Sequence, residues 1–135
     1  MANSVATQII LDGARNTVIK VTGVLDTSDL GYTIIADPAA LSGIDNTLSR
    51  KATGFRITKA TFNVKNPNMA LSLFWDAATP QLVQPLSSAD NTLFDNFGGL
   101  TNNAVSPSGK IGISSNGWSG ISTFSLTLEL TKTGA

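Results

Sequence analysis

The run ISTFSLTLELTK, residues 121–132, decides the fold. In an extended chain Phe124, Leu126, Leu128 and Leu130 fall on one side and Ser125, Thr127, Glu129 and Thr131 on the other, because successive side chains of a strand point to opposite faces. One face is predicted to be core and the other wet. Burying the four apolar side chains contributes about 1.5–3 kcal/mol each before chain entropy opposes it, so this strand should anchor the domain.

Working outward, β-branched residues dominate the remaining ordered-looking segments and turn residues interrupt them at short intervals. Strands are predicted over residues 5–11, 17–24, 32–36, 55–64, 70–75, 82–85, 92–94, 110–114 and 121–132. The expected fold is all-β: a two-layer antiparallel β-sandwich or jelly roll of about nine short strands with one short helical turn. That turn is DPAALSG, residues 37–43, where Asp37 can cap, Pro38 suits the first helical position and Gly43 stops it. A single domain over residues 1–135 with a short extended N-terminal arm accounts for the chain.

Two segments leave alternatives open. In FRITKATFNV, Phe55 and Ile57 occupy odd positions but Phe62 and Val64 even ones, so the strand must either bulge near Lys59 or cross between sheets. In SNGWSG, residues 115–120, Asn116 and Gly117 suit the positive φ of a tight turn, and a hairpin joining the last two strands is expected. Trp118 then folds over the edge of the core or projects toward a partner. In LSLFWD, Leu71, Leu73 and Trp75 share a face and Phe74 takes the other, the pattern of a central or covered strand.

Composition removes many chemistries. The 135 residues include neither cysteine nor histidine, which rules out disulfides, thiol nucleophiles and imidazole ligands. Nine basic and nine acidic residues sum to a net charge of zero and are scattered, so nothing steers a polyanion or an acidic membrane; neither nucleic acid nor membrane is expected as a partner. Charged residues make up only 13%, and a near-neutral surface has little electrostatic protection against association. The start MANSVATQIILDG has no basic n-region and no long apolar core, so no signal peptide is expected and the chain should work where it is made, or inside a particle assembled there.

Motif searches point the same way. Gly109-Lys110 is followed by Ile111 where a P-loop needs Ser or Thr, and Ala104 stands where its first glycine would be. The acidic pairs Asp26 with Asp29 and Asp90 with Asp95 match no calcium loop and read as turn and cap residues. A serine nucleophile would lack its imidazole. No catalytic residue, metal site, cofactor or small-molecule substrate is expected. A sugar-binding module would instead display Trp75, Trp118 or Tyr32 on a flat face.

Read jointly, TQIILDGARNTVIKVTGVLDTSDLG, LFWDAATP, DNFGGLTNNA and GKIGISSNGWSGISTFSLTLEL resemble the small structural proteins of tailed bacteriophages. The resemblance covers nearly the whole chain and rests on order and spacing rather than on catalytic motifs. It implies a capsid decoration (cement) protein on the outer surface of the virion, a homotrimer that clamps neighbouring copies of the major capsid protein. A tail, adaptor or fibre component is the alternative within the virion, and a module for host glycans the alternative outside that class. Contacts are expected from the N-terminal arm (Ala2, Asn3, Ser4, Val5), from the loop 37–50 (Asp37, Leu41, Arg50), from the loop 95–108 (Asn96, Asn102, Asn103) and from Trp118.

Overall fold

A computed structural model describes residues 3–13, 15–26, 28–38, 53–65, 69–86, 89–93, 99–105, 107–118 and 120–133. Nine strands form: β1 (Ser4–Asp12), β2 (Asn16–Leu25), β3 (Thr33–Ala36), β4 (Gly54–Val64), β5 (Ala70–Ala77), β6 (Gln81–Leu86), β7 (Ala89–Leu93), β8 (Pro107–Asn116) and β9 (Ser122–Thr133). One sheet has the order β1-β2-β9-β4-β7, the other β3-β8-β5-β6, and all neighbours are antiparallel. Strands β2 to β9 thus make the two four-stranded layers of a jelly roll, and β1 adds a fifth strand to one edge of one layer. Asp37 and Pro38 of the expected helical turn are described; residues 39–43, and Phe94 at the end of an expected strand, lie outside the described residues.

The alternation read in residues 121–132 translates directly into burial. Strand β9 lies between β2 and β4 at the centre of its sheet, with Phe124, Leu126, Leu128 and Leu130 all buried. Facing them across the sandwich are Leu71, Leu73 and Trp75 of β5 and Ile111 and Ile113 of β8. Two such inner faces interdigitate over about 10 Å, which is how antiparallel sheets remove apolar surface from water. Strand β5 is central to its own sheet, between β8 and β6, and Phe74 points to its outer face.

The phase slip in β4 is a bulge. The ladder with β9 shifts between Ile57 and Lys59, so Phe55 and Ile57 before it and Ala60, Phe62 and Val64 after it all face the core. The inserted Thr58 donates its hydroxyl to the Glu129 carbonyl at 2.7 Å, which gives that β9 carbonyl a side-chain donor at the bulge. One extra residue resets the face while the strand stays in its sheet.

The hairpin expected between the last two strands does not form. Strand β8 pairs with β3 and β5, whereas β9 pairs with β2 and β4, so the connection after Asn116 carries the chain from one layer to the other. Gly117 does adopt the positive φ (81°) that its sequence suggested. A turn residue specifies a local reversal, however, and the few residues up to Ser122 suffice to span a layer spacing of about 10 Å. The longer ladders available to β8 and β9 in separate sheets decide the pairing.

Candidate interaction surface

Among the described residues the sheets are unequal, five strands against four, and the surplus strand is β1. In its register with β2, Val5, Thr7 and Ile9 stand opposite Gly23, Val21 and Ile19, the residues with which β2 faces the core. Strand β1 therefore has an inward face with little sheet beneath it. Val5 still packs against the core, but Thr7 is exposed and Ile9 keeps 49% of its accessible surface. A bulge at Ile10 follows, beyond which Leu11 pairs with Val18. Ile10 and Leu11 are 53% and 49% exposed, so three consecutive aliphatic side chains lie half in water.

Beneath the overhang the edges of the layers part into a groove of about 220 Å³, lined by Thr7 and Ile9 of β1, Ile19 of β2, Ile34, Ile35 and Ala36 of β3, and Asp37. Aside from Asp37 at its end, this lining is uncharged. It is apolar because both elements that meet here use core-type residues to the last position before the sheet stops.

Both ends of β1 are fastened. At its start, the Asn3 side chain accepts the Asp26 backbone N–H at 2.8 Å and donates to the Ser28 carbonyl at 3.1 Å. At its finish, the Lys132 ammonium, with no exposed side-chain surface, donates to the Asp12 carboxylate at 2.5 Å and to the Gly13 carbonyl at 2.6 Å. A buried ammonium needs such partners, because desolvation of an unpaired charge costs several kcal/mol. The arm expected from sequence is thus a strand laid along β2 and held at both ends, with its middle open.

The other expected contact residues do not gather into one patch. Asp29 accepts from the Ser115 hydroxyl at 3.2 Å and from the Trp118 backbone N–H at 3.0 Å, which ties the β2–β3 connection to the one after β8. The Trp118 indole N–H donates to the Leu25 carbonyl at 2.9 Å and its ring packs against the core, so Trp118 closes the end of the sandwich beside Asn3. Ser4 and Val5 lie at the start of β1, and Asp37 lines the groove with Thr7 and Ile9 further along the same strand. Asn102 and Asn103 belong to a separate segment, where Leu100 bridges Ile57 beside the β4 bulge and the Asn102 side chain accepts the Ala104 N–H at 2.9 Å. Ala2, Leu41, Arg50 and Asn96 lie outside the described residues, as do Asp95 and the side chain of Asp90.

Aromatic display is narrower than expected. Trp75 is only 1% exposed and belongs to the core. Of these three rings, Tyr32 is the one 42% exposed on an open sheet face, edge-on to Phe74 with ring centroids 5.7 Å apart. Gly112 makes this possible: a Cβ there would stand 2.6 Å from the Tyr32 ring, so only glycine lets the ring cross the sheet. Asp76 accepts from the Tyr32 hydroxyl at 2.7 Å and from the Ser108 hydroxyl at 2.6 Å. These two hydrogen bonds, Ser108 first, hold the Asp76 carboxyl below the usual carboxylate range, while burial, then Asp76, pushes the Tyr32 hydroxyl above the ordinary tyrosine value. Among the described residues no three Asp or Glu side chains approach closely enough to hold a metal ion.

Sequence reasoning overlooked Ile9, Ile10, Leu11 and Ile34. The available signal was the unbroken apolar run Ile9-Ile10-Leu11, which cannot alternate in and out and so must expose an aliphatic side chain. Comparison with protein-family models gives no match to this chain, and comparison with curated proteins gives none either.

Proposed function

We propose that this chain is a non-enzymatic structural protein of a tailed-bacteriophage virion, a capsid decoration protein that clamps neighbouring copies of the major capsid protein from outside. The observation that carries this reading is the open, uncharged edge formed by β1 and the groove beneath it. It is the kind of surface a protein keeps when another protein is to cover it. Its best-placed polar groups favour the same reading: Asp12, Asp29 and Asp76 hold strands and loops together. The resemblance of its sequence to phage structural proteins supplies the setting.

The physical advantage of such a protein is repetition. As a trimer on a local threefold axis it presents three equivalent patches, so modest contacts combine through effective concentration into firm attachment. A partner that binds only the mature shell stabilises that shell by mass action.

Imaging of the intact particle tests the proposal. A jelly roll present in hundreds of copies on the outer face of the head is the expected result. Density confined to the tail would make the chain a tail component, and failure of the purified protein to co-sediment with heads lacking it would overturn the decoration role. A glycan-array signal lost in Tyr32→Ala would favour host-sugar recognition instead.

A further inference from the structure

We infer that β1 is a homotypic contact: two copies of this chain join through their β1 edges, antiparallel, about a twofold axis that passes through Thr7. The inference does not depend on the virion role. It differs from the threefold contact proposed above, because a patch that pairs with itself gives a dimer of free chains, or a link between trimers.

The argument starts from the backbone. Strand β1 ends its sheet, so one row of its N–H and C=O groups has no strand beside it among the described residues. Such a row accepts another strand unless lysine, proline, an inward charge, a bulge or brevity prevents it. Residues 4–9 read SVATQI and contain none of these; the bulge comes only after them, at Ile10. The first charge further along β1, Asp12, is paired with Lys132, and Lys20 lies on the neighbouring strand opposite Gln8. Compared with the edges of the other layer, β3 is only four residues long and β6 carries Pro85.

Composition and symmetry then select a second copy as the occupant. The edge is uncharged, so what fits it is an uncharged extended strand that offers aliphatic residues at alternate positions, and β1 itself has that chemistry. With the axis at Thr7, Val5 of one copy stands opposite Ile9 of the other, twice, and Thr7 opposite Thr7. All three share the face that points toward the groove. A twofold axis normal to the sheet keeps the faces matched, so the two grooves come to lie side by side on one face of a continuous ten-stranded sheet, twice the five strands of one copy. The regular part of β1 ends at the Ile10 bulge, which sets the length of this ladder. Shifting the axis to Ala6 would set Val5 against Thr7 and Ile9 against Asn3, and would leave only the small contact of Ala6 with itself as an apolar pair among residues 3–9.

The absence of native cysteine makes a direct test possible. In this register two Thr7→Cys side chains face each other with Cα atoms about 4.5–5.5 Å apart, within disulfide range. Oxidation of Thr7→Cys is expected to give a covalent dimer in high yield. Val24→Cys, also solvent-exposed but on the neighbouring strand, should give none. By sedimentation equilibrium, Thr7→Lys should weaken association about tenfold or more, as should Thr7→Glu, while a mixture of the two restores it. That restoration separates lost contact from lost folding. A wild-type protein that stays monomeric at high concentration, a cross-link at residue 24 in place of 7, or association indifferent to Thr7→Lys would each overturn the inference.

Discussion

Strands β1 and β9 are the two neighbours of β2, pair with it in the same antiparallel sense, and both place aliphatic residues toward the sandwich interior. Their fates differ. On β9, Leu126 and Leu128 are fully buried, whereas on β1, Ile9 is half in water. Alternation assigns a side chain to a face; whether that face is covered depends on how far the opposite sheet extends. Among the described residues the second layer has four strands rather than five, and the first layer's surplus strand becomes a surface. The same residue chemistry that stabilises the fold at β9 becomes at β1 a reason to associate.

The largest expected effect tests this contrast head on. Leu128→Ala should cost about 2–5 kcal/mol in chemical denaturation, the range for truncating a fully buried leucine, and Ile9→Ala under about 1 kcal/mol. Equal losses would mean that the inner face of β1 is as well covered as that of β9.

Next comes the fastening at the end of β1. Asp12→Ala leaves the Lys132 ammonium buried with one fewer acceptor, and about 3 kcal/mol of stability should go with it. Replacing Lys132 by methionine in the same variant should recover most of the loss, because the cost lies mainly in the orphaned charge. No recovery would locate the cost in the lost tie between β1 and β9.

A smaller change is expected at the opposite end. Asn3→Ala removes the acceptor of the Asp26 N–H and should cost about 0.5–1.5 kcal/mol. Hydrogen exchange would sharpen the comparison: amides of β1 should exchange faster while those of β9 keep their protection. Uniform acceleration across both strands would contradict the view of β1 as an independently frayable edge.

The smallest effect lies outside both strands and serves as a control. Because the Asp76 carboxyl is held below its ordinary range, the unfolded chain takes up a proton first as pH falls. The stability it contributes is present above the ordinary carboxylate value and is lost as pH falls through the depressed one. The Tyr32 hydroxyl is shifted upward, so above the ordinary tyrosine value of about 10 the unfolded chain loses its proton first and stability declines as pH rises. Tyr32→Phe should abolish the alkaline decline and soften the acid one, without altering the difference between Leu128→Ala and Ile9→Ala.

What the residues alone determined was local: nine strands near their observed positions, the buried face of β9, the phase slip in β4 with a bulge as one of its two readings, and Trp118 as one of two readings for the end of the core. Each follows from chemistry within about ten residues, namely side-chain period, a slip in that period, or a turn-forming pair. What only the tertiary structure decided was which strands meet. Pairing β8 with β5 and β9 with β2 joins residues far apart in the chain, and no local pattern distinguishes that arrangement from the hairpin their short connection suggests. The open edge is partly of the same origin: the run Ile9-Ile10-Leu11 by itself requires an exposed aliphatic side chain, but only the four-stranded count of the opposite sheet, among the described residues, leaves the inward-facing Ile9 in water. Burial belongs to the whole assembly of strands, so a surface made by a missing neighbour cannot be read from the strand that lacks it.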